Sequence, residues 1–569
     1  MLKKYTEYPS FEVNFSNAFL HEEIGENAYN KYKNYIENIK PRNIYTSKLD
    51  IIERYKLENF LINITLSYLE LKYRISRLDI ISNIKEIIEY YPFQMHSEYY
   101  GFIDIDVKEN KDFKKWLKNS LEDFFKEVDQ REYGEYYTPE KLIRLSFQSL
   151  EMDTNNKVVD PACGSGFFIL EYLEELQNRK LLDIDTIKNN IYGFDIFPFS
   201  IIMSKLLIGE FFVKSKKSFS GKEFYFKNII LHNTVSSLQC KNNDNRITNL
   251  EFDLIIGNPP FFRIEPDDKN EICDCVSYGH NYIQSIFVHW AIQHLKTNGK
   301  SVLFLPQSML SGFYYQKLRQ EIMEKCRLEL IISDKSHEKS FLVQQDIMIL
   351  YFSNRRNLDY YQVGIPYNDF ENFETIILPL NLINNKNQVI PVFKSEFELN
   401  MARHLSEMEI LNYITEFEIG TGNFVWNQNK DDIYNQYVED SIPLIMGPSI
   451  NLDGINLENS KYNYCVVSNE NRYIRNDIVI LYRRMSPIGN EIRMIATIIS
   501  TDDIPEYVLE NHVNFIKHEN YDMRKIQMML QFITSEDFET MIDIFCQTNQ
   551  VSSNDLFTIF EVLMSLRNH

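Results

Sequence analysis

The sequence predicts an α/β fold in which a mainly parallel, doubly wound sheet lies between a helical N-terminal region and an α+β C-terminal region. Short β-branched or aromatic runs alternate with helical stretches from about residue 126 to about 355, which is typical of parallel sheets covered by helices. The chain has 569 residues, too many for one ordinary core, so about three domains are expected. We divide it into residues 1–125, 126–395 and 396–569.

The N-terminal region is predicted to be mostly helical because apolar residues recur at three- and four-residue spacing in KYKNYIENI and LENFLINITLSYLELKYRIS. Glu70 and Lys72 in the second segment have the E-x-K spacing of a nuclease site, with Asp50 upstream. That motif belongs on strands, whereas this segment is predicted to be helical. We therefore favour a solvated helix face over a nuclease site.

The central and C-terminal elements follow from the same patterns. Central strands are predicted at VVDPA, IYGFDI, NIILHN, FDLIIGN, KSVLFLP, LELIIS and DIMILYF. Helices are predicted between them at GFFILEYLEELQNRK, FSIIMSKLLIGEFF and YIQSIFVHWAIQHLK. In the C-terminal region the predicted strands are DIVILYRRM and RMIATIIS, and the predicted helices are KIQMMLQFI and NDLFTIFEVLMSL.

Composition narrows the classes of protein to consider. A net charge of -21 argues against a nucleic-acid partner unless positive charge is concentrated on one face. The seven cysteines have no disulfide-framework spacing, which predicts reduced thiols and a cytoplasmic protein. Cys273 and Cys275 lack a second ligand pair, so no metal is expected. The N-terminus has no apolar signal core, and no stretch approaches about 18 apolar residues, so no membrane partner is expected.

A glycine-rich turn, VVDPACGSGFF, follows the first central strand. Gly164 and Gly166 let a ligand approach the backbone closely, and the following helix offers free N–H groups. The carboxylate of Asp160 disfavours a pyrophosphate there and favours a ligand that carries a cation or an amine. The alternative is a tight turn without a ligand. Asp195 ends the next strand, where an acidic residue typically binds ribose hydroxyls. Its alternative role is to cap the helix that begins near Pro198.

A second motif, IIGNPPFFRI, ends the strand FDLIIGN. Proline cannot donate to a sheet ladder, so the strand must stop at Asn258. Pro259 and Pro260 then fix the backbone and aim the Asn258 amide into the cleft beside the glycine-rich turn, while Phe261 supplies a flat face. The motif is either a clamp for a planar amine or a rigid strand end with a core phenylalanine.

These motifs carry a family resemblance. DPACGSGFF followed by NPPF, and preceded by GEYYTPE at residues 134–140, resembles the S-adenosylmethionine-dependent N6-adenine methyltransferases. The motif order is similar to that of the gamma class of bacterial DNA methyltransferases and covers about residues 130–355. TGNFVWNQNK and LENHVNFI more loosely resemble target-recognition regions of type II restriction–modification methyltransferases. The resemblance implies a Rossmann-like class I methyltransferase domain, double-stranded DNA as a partner, and a cognate restriction endonuclease as a second one.

The resemblance also implies roles for individual residues. Asp195 would hold the ribose hydroxyls, Ile196 would pack near the cofactor adenine, and Asn233 would stand where relatives often carry an aspartate that meets this adenine. The expected cofactor-binding residues are Tyr137, Thr138, Pro139, Asp160, Pro161, Ala162, Gly164, Gly166, Asp195, Ile196 and Asn233. The expected catalytic residues are Asn258, Pro259, Pro260 and Phe261.

The expected mechanism needs no covalent nucleophile. The adenine N6 lone pair is delocalised into the ring, and the Asn258 side-chain oxygen and the Pro259 carbonyl can accept its two hydrogens as the methyl group transfers. Cys163 is therefore expected to pack within the turn. The base must leave the duplex, and stacking on Phe261 would contribute roughly 1–3 kcal/mol.

DNA contacts are expected in the C-terminal region. Residues 472–493 contain five arginines, and only Asp477 and Glu491 oppose them. This local excess of positive charge could contact DNA phosphates or guanine bases. The alternative is a charged strand surface without a nucleic-acid partner. Trp426 fits a position in the hydrophobic core as well as it fits a contact with DNA. The residues assigned to DNA are Trp426, Asn427, Lys430, Arg483 and Arg484.

The sequence also allows three other functions. The N-P-P-F motif also serves methyltransferases of RNA or of protein glutamine, although the large C-terminal region favours DNA. The hypothesis of a bifunctional restriction–methylation enzyme is supported only by the E-x-K spacing. A non-catalytic DNA-binding subunit would keep the fold, but intact Asp160, Gly164, Gly166 and Asn258 argue against it.

Overall fold

The computed structural model describes most of the chain, in two compact units. The described residues are 51–88, 138–215, 222–238, 249–264, 276–279, 281–333, 347–356, 358–367, 370–383, 388–467, 471–486, 492–546 and 550–567. Unit 1 takes the described residues within 1–306, 320–357 and 366–374, and unit 2 takes those within 307–319, 358–365 and 375–569. The predicted boundary after residue 125 lies outside the described residues, and the three-domain division stays a prediction.

The centre of unit 1 is formed by seven neighbouring strands of a nine-stranded sheet. These seven strands are β1 (Val158–Asp160), β2 (Ile191–Asp195), β3 (Ile229–Leu231), β4 (Phe252–Gly257), β5 (Leu295–Pro306), β6 (Arg327–Ser333) and β7 (Ile347–Ser353). They lie in the order β6-β7-β5-β4-β1-β2-β3. Neighbours from β5 to β3 are parallel, whereas β7 is antiparallel to both β5 and β6. The strands are rich in buried Val, Ile, Leu and Phe, as expected for a sheet covered on both faces. All seven predicted central strands are confirmed.

Helices alternate with these strands. The helix Pro198–Lys214 is buried along almost its whole length and packs against the helices Ile51–Tyr73 and Phe167–Asn178. The other helices of unit 1 are Arg77–Asn83, Lys85–Ile88, Glu140–Phe147, Ile184–Asn190 and Ile283–His294. A further helix spans Gln316–Lys325. Two-residue strands at Arg263–Ile264 and Asn281–Tyr282 pair with each other.

The helical prediction around the E-x-K spacing is confirmed, and Glu70 and Lys72 are both partly exposed. Residues 61–69 are all buried. Glu70 pairs with Arg77 at 2.8 Å, and the Lys72 Nζ lies 3.7 Å from the Glu210 carboxylate. Both side chains are therefore engaged in ion pairs within unit 1, and the spacing gives no support to a nuclease. Asp50 lies outside the described residues.

The described residues of unit 2 form a four-stranded sheet, a five-stranded sheet, a two-stranded sheet and four α-helices. The four-stranded sheet has the order Phe417–Thr421, Val513–His518, Val479–Arg483, Ala496–Ile499. The five-stranded sheet has the order Ile433–Tyr434, Tyr464–Cys465, Ile442–Ile445, Tyr507–Leu509, Ile474–Arg475. Ile450–Asn451 pairs with Gly454–Ile455. The helices are Glu396–Ser406, Met523–Ile533, Glu536–Phe545 and Ser553–Arg567. Further strands span Tyr360–Tyr367 and Asn372–Pro379. The predicted α+β character and its named strands and helices are confirmed.

Within the described part of the chain, no helix combines the length and the apolar character needed to cross a membrane. The cysteines described there, Cys163, Cys326, Cys465 and Cys546, are buried and form no disulfide with one another.

Candidate functional site

The candidate site lies at the carboxyl edge of the sheet beside β1. The strand β1 lies between β2 and β4, so the chain winds away from it in both directions. In open α/β sheets, ligands bind outside the strand ends at such a switch point. Asp160 ends β1, Asp195 ends β2, and Asn258 directly follows β4. The three residues that the sequence predicts to be functional therefore come from adjacent strands.

Both glycines of the turn after β1 have a positive φ, but only Gly166 also lacks the space for a side chain. Gly166 has φ +85°, and a Cβ there would lie 2.3 Å from Ser204 Oγ, so no larger residue fits. Gly164 has φ +50°, but a Cβ there would meet nothing within 4 Å. The side of the turn at Gly164 therefore faces open space, whereas the side at Gly166 is packed against the helix Pro198–Lys214.

Asp160 is a buried carboxyl group. Only 1% of the residue is exposed, and its Oδ1 accepts a hydrogen bond from the Ala162 amide at 3.0 Å. A Cβ on Gly257 would lie 2.6 Å from the same oxygen, so this glycine allows the carboxyl group to sit against the end of β4. Burial raises the pKa of Asp160 to about 8, and the nearby charge of Asp195 adds to the shift. A bound cation would favour the ionised form.

The Asp195 carboxylate holds two loops together. Its Oδ2 accepts the Gly164 amide at 2.9 Å, and its Oδ1 accepts the Phe197 amide at 2.8 Å. The second bond lies just before the helix Pro198–Lys214, whose N-cap is Phe197 without a side-chain capping bond, so the predicted N-cap role of Asp195 is wrong. Each carboxylate oxygen can accept more than one hydrogen bond. Asp195 is partly exposed, and its role toward ribose hydroxyls stays a prediction.

The Asn258 amide has one satisfied end and one unsatisfied end. Its Nδ2 donates to Thr138 Oγ1 at 3.0 Å. Its Oδ1 is buried and has no hydrogen-bond partner among the described residues. An unsatisfied buried acceptor costs about 1–3 kcal/mol. The strand end therefore holds a carbonyl oxygen in place that a ligand N–H would satisfy.

The prolines and the phenylalanine of the motif support this position. Pro259 is buried, Pro260 is half-buried, and 8% of Phe261 is exposed. The predicted strand end is confirmed, because β4 stops at Gly257. Phe261 is packed into the protein more than a freely exposed stacking platform would be, and its contact with a base stays a prediction.

The residues around the turn fit the cofactor that the sequence predicts. Gly164 opens on space that a bound molecule can fill. The Oγ of Ser165 is buried without a described partner. Asp160 suits the cationic groups of S-adenosylmethionine, and the partly exposed Ala162 and Ile196 border the same edge.

The loop after β3 contains a contact that the sequence does not predict. Thr234 Oγ1 donates to the Pro161 carbonyl at 2.6 Å and so ties this loop to the glycine-rich turn. The neighbouring Asn233 is exposed, and its Oδ1 accepts the Val235 amide at 3.1 Å. The assignment of Asn233 to the cofactor adenine stays a prediction. Tyr137 lies outside the described residues, and Pro139 begins the helix Glu140–Phe147.

Cys163 packs within the turn, as predicted. It is buried, and burial raises the pKa of its thiol well above the ordinary value. Its Sγ would lie 3.1 Å from a Cβ on Gly193. A thiol in this state is a poor nucleophile.

Three carboxyl groups, those of Glu140, Glu171 and Glu174, lie close enough together to hold a metal ion. The Arg144 guanidinium already lies among them. It bonds Glu171 at 2.9 Å, pairs with Glu140, and lies 3.6 Å from Glu174. The cluster is therefore explained by an ion-pair network. Cys273 and Cys275 lie outside the described residues.

The predicted DNA-binding residues near Trp426 divide between core and surface. Trp426 is half-buried, packs against the cluster that contains Phe424, and lies 5.9 Å from the Tyr462 ring. Asn427 and Lys430 are exposed. Trp426 thus has the core packing that the sequence left open, while the other two side chains are available to a partner.

Part of the positive charge that was expected to contact DNA in the arginine-rich segment is neutralised by ion pairs. Arg475 pairs with Asp477 at 2.6 Å, and Arg493 is buried and pairs with Asp543 at 3.0 Å. Arg483 donates to the Ile450 carbonyl at 2.8 Å, and Arg484 donates to the Asn511 carbonyl at 3.3 Å. The expectation is wrong for Arg475 and Arg493, since both are neutralised within unit 2. The DNA contacts of Arg483 and Arg484 stay predictions.

Comparison with known proteins agrees with the resemblance to N6-adenine methyltransferases. Residues 119–350 match the family model described as N-6 DNA Methylase. The Type II methyltransferase M.PstI of Providencia stuartii is 24% identical over 329 residues, which are 54% of this chain and 64% of M.PstI. The Type II methyltransferase M.BsuBI of Bacillus subtilis is 22% identical over 481 residues, which are 76% of this chain and 88% of M.BsuBI. The chain thus spans just under two thirds of the first relative and most of the second.

A solved structure shares the fold. The cryo-electron-microscopy structure of the DrdV–DNA complex has a TM-score of 0.51 and 13% identity, and it covers 90% of this chain and 64% of that chain. At this identity the likeness shows the fold alone. Together with the strand order of the sheet, it supports the predicted Rossmann-like α/β architecture.

Proposed function

Because residues 119–350 belong to the N-6 DNA methylase family, we propose that this chain methylates the N6 amino group of adenine at a specific sequence in double-stranded DNA. The cofactor of the family is S-adenosylmethionine. The observation that carries the proposal is the buried, unpartnered Oδ1 of Asn258, held at the end of β4 beside the glycine-rich turn.

The acceptor at Asn258 matches the chemistry of an aromatic amine. The N6 lone pair is delocalised into the adenine ring, so the nitrogen is a weak nucleophile. Asn258 Oδ1 and the Pro259 carbonyl accept the two N6 hydrogens, and these bonds strengthen as positive charge develops on the nitrogen. The acceptors are fixed before the reaction, which limits the reorganisation that the transfer requires.

Bound S-adenosylmethionine supplies a methyl group that its sulfonium already activates. Asp160 favours the cationic groups of the cofactor at the end of β1, and Asp195 presents carboxylate oxygens to hydroxyl groups at the end of β2. The open side of the turn at Gly164 gives the cofactor room. These residues bring the methyl donor and the Asn258 acceptor to adjacent strand ends, so the main contribution of the protein is alignment.

The target adenine must rotate out of the duplex to reach Asn258. Phe261 follows the two prolines and would contact the face of the extruded base, with a contribution of roughly 1–3 kcal/mol. Asn427 and Lys430 are exposed in unit 2 and are proposed to contact DNA, with Arg483 and Arg484. A cognate restriction endonuclease is proposed as a second partner, and the cytoplasm as the location.

Sequence-specific modification can be tested in a host that lacks N6-methyladenine. After expression of the wild-type chain, the modified adenines in the host DNA are mapped at single-base resolution. We expect them at one short sequence, with none after expression of Asn258→Ala at equal protein level. Methylation of RNA or protein with unmodified DNA would contradict the proposal.

A further inference from the structure

Thr138 and Asn258 are joined by a hydrogen bond although 120 residues separate them in the chain. Asn258 Nδ2 donates to Thr138 Oγ1 at 3.0 Å, and 5% of Thr138 is exposed. The bond engages one end of the amide and leaves Oδ1 at the other end buried and without a described partner. One hydroxyl group therefore accounts for which end of Asn258 remains available.

The orientation of this amide decides what Asn258 can bind. An asparagine side chain has an acceptor oxygen at one end and a donor NH₂ at the other. With Nδ2 engaged by Thr138, the available end can only accept. A rotation of the amide by half a turn would present a donor instead, which would suit a base carbonyl rather than an exocyclic amino group.

Thr138 is well placed to hold the amide because it precedes a helix that is fixed at several points. The helix Glu140–Phe147 is tied to the rest of unit 1 through the Arg144–Glu171 ion pair. The Tyr351 hydroxyl donates to the Ser146 carbonyl at 2.9 Å, and the Arg179 guanidinium donates to the Phe147 carbonyl at 2.8 Å. The Thr138 hydroxyl is therefore anchored to a rigid element.

We propose that Thr138 is a positioning residue that holds the Asn258 amide with its oxygen toward the base, and so makes the site selective for bases that carry an exocyclic amino group. This inference rests on the proposed function. A residue that served cofactor binding alone would change the affinity for S-adenosylmethionine. The positioning role instead predicts that Thr138 affects the methyl-transfer step and that this effect depends on Asn258.

The test compares Thr138→Val, which keeps the shape of threonine and removes the hydroxyl, with Thr138→Ser, which keeps the hydroxyl. The full chain is assayed with S-adenosylmethionine and unmethylated plasmid DNA. We expect Thr138→Val to lower the single-turnover rate of N6-methyladenine formation about tenfold, since one hydrogen bond is lost. The KM for S-adenosylmethionine should change less than about twofold, and Thr138→Ser should restore most of the rate.

The second part of the test places Thr138→Val in an Asn258→Asp background. A carboxylate has an acceptor at both ends, so its orientation no longer matters. Removal of the Thr138 hydroxyl should then slow methyl transfer less than about twofold, which makes the two substitutions non-additive. An equal loss of rate in both backgrounds would mean that Thr138 acts independently of Asn258 and would overturn the inference.

The remaining outcomes separate the inference from the proposed function. If the wild type forms N6-methyladenine and Thr138→Val matches its rate, only the inference fails. If Thr138→Val raises the KM for S-adenosylmethionine without a change in the single-turnover rate, Thr138 serves the cofactor and the inference fails. If the wild type methylates no DNA base, the proposed function fails and the inference fails with it.

Discussion

The amide of Gly164 donates to the Asp195 carboxylate at 2.9 Å, and this bond joins the turn after β1 to the end of β2. The turn also opens on space at Gly164, where a Cβ would touch nothing. The two facts together describe a loop that is fixed in position but accessible to a ligand. Such a loop can bind a small molecule without a large change of the backbone.

The two glycines of the turn should respond differently to substitution. Gly166→Ala would force a Cβ against Ser204 at a positive φ, so a loss of about 1–3 kcal/mol in unfolding free energy is expected. Gly164→Ala should cost about 1 kcal/mol from its positive φ alone, because the space around it is open. The affinity for S-adenosylmethionine should nevertheless fall at least about tenfold. Chemical denaturation and calorimetric titration measure the two effects. Unchanged affinity in Gly164→Ala would place the cofactor elsewhere.

The raised pKa of Asp160 predicts how stability depends on pH. Burial raises the folded-state pKa to about 8 from an ordinary value of 3.8, so the folded protein binds this proton more tightly than the unfolded chain. The resulting stabilisation is fully present below about pH 4 and is lost as pH rises to about 8. Asp160→Asn keeps the side chain neutral. Its Tm should therefore exceed that of the wild type at about pH 9, with a smaller difference at about pH 5. Equal Tm values at both pH values would contradict a raised pKa.

The same pKa predicts proton release when a cationic cofactor binds. At about pH 7 most Asp160 side chains would be protonated before binding, and the cation would favour the ionised form. The heat of S-adenosylmethionine binding should therefore depend on the ionisation enthalpy of the buffer, and the affinity should rise as pH increases toward about 8. Sinefungin, which carries an amine in place of the sulfonium, serves as a second cationic probe. Identical heats in phosphate and Tris buffers would exclude coupled ionisation of Asp160.

Unit 2 offers a contrast between a surface cation and a buried one. Lys430 is exposed, whereas Arg493 is buried against Asp543. If Lys430 contacts phosphate, Lys430→Ala should weaken DNA binding and reduce the slope of log affinity against log salt by about 1, without a change in stability. Lys180→Ala, at an exposed position in unit 1, is the control and should leave the slope unchanged. A wild-type affinity that does not depend on salt would argue against a basic DNA-binding face.

Arg493→Ala should instead destabilise the protein. The Arg493 side chain is buried and donates to the Cys546 carbonyl at 3.1 Å, whereas the Asp543 side chain is 56% exposed, so a loss of about 1–3 kcal/mol in unfolding free energy is expected. Arg472→Ala is the matched control, since Arg472 is exposed and should affect the unfolding free energy by less than about 0.5 kcal/mol. Chemical denaturation of both variants measures the difference. A small effect at Arg493 would mean that the ion pair contributes little to the fold.

The sequence predicts the sheet of unit 1 well because local patterns determine it. β-branched runs define the strands, glycines mark the turn at Gly164, and Pro259 and Pro260 fix the end of β4. The carboxyl ends of parallel strands meet at one edge of a sheet, so the sequence predicts that Asp160, Asp195 and Asn258 lie together.

Contacts between distant segments could not be predicted in this way. No periodicity links Thr138 to Asn258, and a local count of charges cannot show that Arg493 is buried against Asp543.

The burial of the helix Ile51–Tyr73 is also difficult to predict, because the helix contains polar residues. Its Asn63 and Ser67 side chains donate to backbone carbonyls four residues earlier, so polar residues are accommodated in a buried helix.

The central claim is that the Asn258 amide binds the adenine amino group, and a nucleoside mass measurement tests it most directly. Purified wild-type protein and Asn258→Ala are incubated with unmethylated DNA and S-adenosylmethionine, and the DNA is then digested to nucleosides. The account predicts N6-methyladenine with the wild type and none with Asn258→Ala, while both proteins bind the cofactor with similar affinity. Equal amounts of N6-methyladenine from the two proteins would contradict the assigned role of Asn258, and a wild type that binds the cofactor but modifies no base would contradict DNA methylation itself.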